Sequence, residues 1–188
     1  MAKTIPIEVS ARHIHISQKD LEKIFGKDYK LKKLRDLTQP GEFASTDKVV
    51  IKNKKRELSV RIVGPLRRNT QIEISLTDAI FLKLNPPVRK SGNLKGTPGV
   101  FLKNKSKKIR LKKGLIIPMR HIHCNLKQAK RLGLENNQYV SVMVKGERGL
   151  IFNKVKVRAN KNYELAMHVD TDEANAAGIN KKINGYLV

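Results

Sequence analysis

Two copies of a short histidine motif are the residues of this chain best suited to chemistry. The sequence Arg-His-Ile-His occurs at residues 12–15 and again at residues 120–123, and the two copies hold four of the five histidines. On a β-strand, residues i and i+2 project from the same face, so each copy would present two imidazoles side by side. Paired imidazoles are favoured ligands of Zn²⁺ and similar metals. The duplication therefore favours two metal half-sites over the ordinary polar alternation of an exposed strand.

A third ligand for each half-site is predicted from the flanking sequences, which repeat with a one-residue offset. Glu73 and His168 each end a predicted strand, and each comes shortly before a Thr-Asp pair that starts a helix. Three protein ligands with an open position are typical of a catalytic metal, whereas four are typical of a structural one. For Glu73 the alternative is a cross-strand salt bridge with a lysine. The first cluster is then His13, His15 and Glu73, and the second cluster is His121, His123 and His168.

Short strands and short helices must position these ligands. Each histidine motif follows an apolar run and precedes a helix start, at Ser17 in the first copy and at Asn125 in the second. Hairpins are predicted over residues 48–58 and 138–158. Many short strands with Gly- and Pro-marked turns predict a mainly β chain of two small β-barrel domains with short capping helices. From the residues alone, the repeat favours one barrel per motif.

Length and composition limit the compartment. The 188 residues, 39% of them hydrophobic, are enough for one large domain or two small ones. No apolar stretch approaches the roughly 20 residues of a membrane-spanning helix, and no signal peptide precedes the first predicted strand. The one cysteine, Cys124, cannot form an internal disulfide, and its side chain would point away from the imidazoles. We therefore expect a cytoplasmic protein, no membrane partner and a structural role for Cys124.

The formal net charge of +24 predicts attraction to anions. Nucleic acid and small phosphorylated ligands would both satisfy this charge. Aromatic residues make up only 5% of the chain, tryptophan is absent, and the basic residues are dispersed apart from residues 103–113. These features argue against a nucleic-acid partner, whose binding relies on clustered cations and stacking aromatics. Lys, Asn and Ile are all abundant, as in an AT-rich coding sequence, so no function is assigned to individual surface lysines.

Four segments together resemble the phosphate propanoyltransferase family. They are residues 7–15, 64–75, 87–92 and 120–123. The resemblance covers nearly the whole chain and implies two β-barrel domains, two zinc ions, and reversible acyl transfer between coenzyme A and phosphate. It also implies a division of the chain different from one barrel per motif. Residues 1–12 with 119–188 would form the first barrel, and residues 13–118 the second.

The resemblance also implies roles for individual residues. One zinc would lie on the first cluster with the coenzyme A sulfur as a further ligand, and the other on the second cluster, completed by water. Arg67 matches the phosphate-binding arginine of the family and is the expected catalytic residue. Ser10, Arg61 and Asn175 stand where the family contacts coenzyme A.

The resemblance therefore implies a zinc-dependent phosphate acyltransferase that moves a propanoyl or acetyl group. A metal-dependent hydrolase could use the same six ligands with water as the nucleophile, and a basic nucleic-acid-binding module is favoured by charge alone. The expected partners are coenzyme A or acyl-CoA, phosphate or acyl phosphate, and a second copy of the chain in a homodimer. The resemblance also implies a part in propanediol degradation, with which the family is associated. Microcompartment encapsulation is not expected, because the sequence begins at the first strand without an N-terminal extension.

Overall fold

The computed structural model describes residues 3–105 and 107–188, and these residues form two compact units. Among the described residues, unit 1 comprises residues 3–10, 38–40 and 119–188, and unit 2 comprises residues 11–37, 41–105 and 107–118. Residues 1 and 2 of the predicted first barrel, and residue 106 of the predicted second barrel, lie outside the described residues. The division into domains 1–12 with 119–188 and 13–118 stays a prediction.

Short strands dominate both units, and the helices are brief. In chain order the elements are β1 (Thr4–Ser10), β2 (His13–His15), α1 (Gln18–Phe25), β3 (Lys33–Asp36), β4 (Phe43–Asn53), β5 (Arg56–Gly64), β6 (Gln71–Glu73), α2 (Leu76–Leu82), β7 (Val88–Arg89), β8 (Phe101–Asn104), β9 (Lys107–Arg110), β10 (Leu115–Pro118), β11 (His121–Cys124), α3 (Leu126–Leu132), β12 (Tyr139–Val144), β13 (Leu150–Ala159), β14 (Ala166–Asp170), α4 (Thr171–Ala176) and β15 (Ile183–Leu187). The predicted mainly β fold with short helices is confirmed. None of the helices in the described residues is long and apolar enough to cross a membrane.

Unit 2 is a half-barrel sheet, which contains nine strands within the described residues. The strand order is β7-β10-β6-β2-β5-β4-β8-β9, and β3 pairs with β4. Its core residues alternate along the strands, as a sheet with one buried face requires. The most deeply buried include Ile14, Ile51, Ile62, Ile72 and Leu102. The histidine strand β2 therefore lies inside the sheet, between β6 and β5.

Unit 1 is a barrel, in which the described strands close in the order β1-β14-β11-β13-β12-β15. Closure comes from β15, which pairs antiparallel with both β1 and β12. The barrel interior is filled by apolar side chains, so it is a packed core. Fully or nearly fully buried members include Ile5, Ile122, Val142, Val157 and Met167.

Each unit carries one histidine motif, but neither unit is a continuous stretch of the chain. Strand β1 leads into the first motif, yet it pairs with β14 and β15 in unit 1. Strand β10 leads into the second motif, yet it pairs with β6 and β7 in unit 2. The strand before each motif thus completes the sheet that carries the other motif. The two units alternate along the chain, because β1 and β10 pair with strands that are distant in sequence.

The predicted helix boundaries are confirmed for α1 and α3. The Ser17 side chain accepts from the Asp20 backbone N–H at the start of α1, and Gly26 ends the helix. Asn125 forms a capping box with Gln128 in α3, and Gly133 ends this helix with a left-handed φ of 69°. Helix α2 begins before the predicted Thr-Asp start, because Ser75 is its N-cap.

A hydrogen-bonded carboxylate fixes the loop that follows α1. The Tyr29 hydroxyl donates to Asp47 at 2.6 Å, and Asp47 also accepts from Ser45 Oγ and from the Lys32 backbone N–H. The hydrogen bond to Asp47 is the largest effect that raises the pKa of Tyr29, to about 12. The phenol therefore keeps its proton in the folded unit at a pH where an unfolded tyrosine, with a pKa of about 10, loses it.

We expect Tyr29→Phe to remove a pH-dependent part of the stability. The contribution of Tyr29 is fully present below about pH 10 and is lost as the pH rises from about 10 toward 12, because only the folded state holds the proton there. Urea unfolding of both proteins at neutral pH and above pH 10 measures the difference in unfolding free energy. This difference should shrink at alkaline pH, and a difference that stays constant would contradict the assignment.

Candidate metal centres

The first cluster is assembled by three neighbouring positions of two strands. In the antiparallel pairing of β2 with β6, His13 stands opposite Glu73, and His15 stands two residues along the same face. His13 Nε2 is 3.2 Å from His15 Nε2 and 3.6 Å from Glu73 Oε2. One ligand atom from each of the three residues lies within 4.8 Å of the others. The structure thus brings together the predicted first ligand set.

The second cluster repeats this arrangement in the barrel. His121 stands opposite His168 in the antiparallel pairing of β11 with β14, and His123 follows two residues later. The three ring centroids are 4.5 to 5.1 Å apart. One ligand atom from each of these three residues lies within 4.8 Å of the other two. In both units the third ligand therefore pairs directly with the first histidine of the motif.

Backbone carbonyls orient the first imidazole of each motif. His13 Nδ1 is 2.8 Å from the Ala11 carbonyl oxygen, and His121 Nδ1 is 2.9 Å from that of Met119. A carbonyl only accepts, so Nδ1 must carry the hydrogen, and the Nε2 lone pair is left to face the cluster. The same device, a carbonyl two residues earlier, occurs in both copies.

The donor chemistry of both clusters fits a metal such as Zn²⁺. The first offers two imidazole nitrogens and a carboxylate, and the second offers three imidazole nitrogens. Burial is the main cause that lowers the pKa of His15 well below its ordinary value, with further lowering by His13 and Arg67, while a hydrogen bond to the Val63 backbone opposes it. A neutral imidazole is the form that binds metal.

Gln71, for which the sequence predicted no role, links Glu73 to a nearby loop. Gln71 Nε2 donates to Glu73 Oε1 at 2.5 Å and to Ser91 Oγ at 2.7 Å, while Gln71 Oε1 accepts from the Gly92 N–H. Gln71 is two residues before Glu73, so the period of a strand would have placed both side chains on one face. Ser91 was part of a segment that carries the family resemblance, but nothing in its spacing indicated this contact.

Arg67 joins the same hydrogen-bond network. Its guanidinium donates to Ser91 Oγ and to Glu42 Oε1, each at 3.0 Å. Its backbone N–H donates to the Ile16 carbonyl, which holds the residue beside the end of β2. Arg67 is half-buried and its neighbour Arg68 is exposed. The Arg67 side chain is therefore fixed by hydrogen bonds, and Ser91 and Gln71 connect it to Glu73 of the first cluster.

Three further predicted residues occupy separate places. Ser10 ends β1 opposite Asp170, the N-cap of α4, so it lies at the same end of the barrel as Asn175 in that helix. Arg61 belongs to unit 2, where it stands opposite His13 and donates to the Ser45 carbonyl at 2.6 Å. A role of these residues in binding coenzyme A stays a prediction.

Cys124 lies in the core of the barrel. The side chain is fully buried on the face of β11 away from the imidazoles, and burial raises the pKa of its thiol. A buried thiol with a raised pKa is a poor nucleophile, which agrees with the structural role expected from the sequence.

Comparison with known proteins agrees with the residue pattern. The sequence model of a family described as phosphate propanoyltransferase matches residues 6–180. A protein of that name from Sebaldella termitidis is 42% identical over 182 residues, which span 96% of this chain and 86% of the relative. The same name belongs to a Thermotoga maritima relative that is 44% identical, with 98% of this chain and 89% of the relative covered. A Salmonella typhimurium relative, also so named, is 44% identical over 94% of this chain and 84% of its own length.

We expect Glu73→Gln to weaken metal binding at the first cluster much more than it weakens folding. The amide keeps the size of the side chain and can still accept from Gln71, but it removes the anionic ligand. After zinc loading and desalting, elemental analysis should show about one equivalent of metal fewer than in the wild type.

Glu42→Gln is the matched control for this variant. It removes a carboxylate that pairs with Arg67 but belongs to neither cluster, and such half-exposed pairs contribute about 0 to 1 kcal/mol. Metal content should stay at the wild-type value in this control. Equal metal content in Glu73→Gln and wild type would contradict the role of Glu73 as a ligand and favour an ordinary salt bridge.

Proposed function

The chain belongs to the phosphate propanoyltransferase family and is an acyltransferase, and we propose that it moves a propanoyl or acetyl group reversibly between coenzyme A and phosphate with zinc at both clusters. The observation that carries the proposal is the first cluster with its neighbouring arginine. Three ligand atoms within 4.8 Å and a guanidinium connected to them through Gln71 and Ser91 suit an acyl group and a phosphate at one place.

The reaction requires positive charge from the protein. A phosphate oxygen attacks the thioester carbonyl, the C–O bond forms, the C–S bond breaks, and the coenzyme leaves as a thiolate. Both reactants are anionic, so their approach is opposed by electrostatic repulsion. A bound zinc ion would supply Lewis acidity that stabilises the sulfur anion or polarises the acyl oxygen.

Arg67 is proposed to bind the phosphate. The planar guanidinium matches two phosphate oxygens, and it would also stabilise the charge that grows in the tetrahedral transition state. Among the described residues, Ser91 Oγ accepts from Arg67 NH1 and Glu42 Oε1 accepts from Arg67 NH2. A guanidinium has five N–H donors in all. Phosphate can therefore bind while Ser91 continues to orient the side chain.

Direct transfer within a ternary complex is favoured over a covalent acyl-enzyme. The free cysteine, Cys124, is buried in the barrel core and cannot reach a substrate. Contacts to the coenzyme are proposed for Ser10 and Asn175, at the α4 end of the barrel, and for Arg61 beside His13. A homodimer, a cytoplasmic location and participation in propanediol degradation stay predictions.

The deciding experiment is a coupled substrate test. Purified zinc-loaded protein is incubated with coenzyme A and propanoyl or acetyl phosphate while thioester absorbance and free phosphate are followed. Acyl transfer predicts thioester and phosphate in equal amounts, and only when coenzyme A is present. Phosphate release without thioester would instead indicate a hydrolase. No turnover, together with DNA or RNA binding that weakens steeply with salt, would indicate a nucleic-acid-binding module.

We expect Arg67→Ala to reduce turnover by roughly 10²-fold, the scale for loss of one preorganised donor, while metal content stays unchanged. Arg67→Lys should recover only part of this loss, because an ammonium restores the charge without the two-point geometry. Steady-state kinetics with varied acyl phosphate, metal analysis and thermal melting measure the three quantities. Arg68→Ala is the control, since that side chain is exposed. Equally small effects at both positions would place the phosphate elsewhere.

A further inference from the structure

The arginine of each histidine motif forms an ion pair that the sequence did not explain. In unit 2 the Arg12 guanidinium donates to Asp78. In unit 1 the Arg120 guanidinium donates to Glu173 at 2.8 Å. Each arginine immediately precedes the histidine pair of its motif, so both motifs carry the same type of arginine–carboxylate contact.

The two acidic partners occupy the same helix position. Asp78 is the third residue of α2 and its N–H donates to the Ser75 cap, while Glu173 is the third residue of α4 and its N–H donates to the Asp170 cap. Helix α2 follows the strand of Glu73, and α4 follows the strand of His168. Each ion pair therefore links a motif strand to the helix that continues from its third-ligand strand.

These links lie beside one end of a short ladder in each cluster. The β2–β6 and β11–β14 ladders pair over three positions each, and the pair formed by the first histidine and the third ligand stands at one end of both. His13 opposes Glu73 there in one ladder, and His121 opposes His168 in the other. The ends of short ladders open readily, and opening there would separate the third ligand from the imidazoles.

We propose that Arg12 and Arg120 are positioning residues that keep the ligand-bearing end of each ladder closed around a metal ion. The inference rests on the proposed metal sites and adds a role for the one motif residue that is not a ligand or a core residue. The carboxylates are poorly accessible, with side-chain exposures of 9% for Asp78 and 21% for Glu173. Partly buried pairs of this kind are screened by salt less than fully exposed pairs.

Arg120 makes a second contact that a lysine could not reproduce. Its Nε donates to the Asn153 carbonyl at 2.8 Å, on β13, while NH1 binds Glu173. Strand β13 flanks β11 on the side opposite β14. One guanidinium thus ties the start of the motif strand to β13 and to α4, the helix that follows β14, through two donors of fixed geometry.

The chain supplies matched controls on the same two helices. Arg148 Nε donates to the Ala176 carbonyl of α4 at 3.3 Å, and the Arg56 guanidinium donates to the Phe81 carbonyl of α2. Both contacts are at the C-terminal part of the helix, and neither arginine belongs to a motif strand. Their removal loosens the same helices without releasing the ligand-bearing end of the ladder.

Cobalt(II) serves as the probe, because its visible absorption reports coordination geometry independently of activity. The second cluster is observed alone in a His13→Ala, His15→Ala background. In that background, Arg120→Gln should increase the rate of cobalt transfer to a chelator by about 10-fold to 100-fold and weaken the visible band, the scale seen for residues that orient metal ligands. Arg120→Lys should fall between Arg120→Gln and the parent protein, and Arg148→Gln should match the parent.

The first cluster is tested in the same way in a His121→Ala, His123→Ala background, with Arg12→Gln against Arg56→Gln. A purely structural pair predicts that cobalt release follows the melting temperature equally in motif and control variants, and this result would overturn the inference. Parent-like release from the motif variants would also overturn the inference and leave the proposed function intact. Failure of the wild-type protein to bind cobalt would overturn the metal sites themselves, and the inference with them.

Discussion

The register between each histidine strand and its neighbour is the constraint on which the site depends. Ile14 and Ile122 lie between the two histidines of their motifs, and both are fully buried in a core. Side chains alternate with a period of two, so burial of the isoleucine sends both flanking imidazoles to the other face of the sheet. A slip of one residue would exchange these faces. The hydrophobic core thus determines where the ligands meet.

The parts that could be predicted depend on local sequence, and the parts that could not depend on distant pairing. The Ser17 and Asn125 caps, the hairpins and the histidine pair of each cluster follow from residues within a few positions of one another. The third ligands, Glu73 and His168, follow from short flanking sequences that recur after both motifs. The placement of β1 does not, because its partners β14 and β15 are more than 150 residues away. Several barrels are compatible with the same alternation. Spatial order is set by which edges pair, and this is a property of the whole sheet.

The network around Arg67 could not be predicted for a related reason. Ser91 and Glu42 are each more than 20 residues from Arg67, and both reach it from other segments of the chain. The net charge of +24 gave no guidance, because it describes the whole surface. A dispersed positive field attracts anions from solution. Ser91 and Glu42 instead hold the Arg67 guanidinium in one orientation, which the proposed contact with phosphate requires.

The two clusters differ in where they place a carboxylate. In the first, Glu73 is itself one of the three grouped side chains, whereas in the second the equivalent position is His168. Glu8 then lies behind that histidine, with Oε2 3.8 Å from His168 Nδ1, and its other oxygen accepts from the Thr38 hydroxyl. A carboxylate behind an imidazole raises its basicity without occupying a ligand position. The first cluster thus offers a carboxylate oxygen among its three ligand atoms, while the second offers imidazole nitrogens alone and has its carboxylate one position further out.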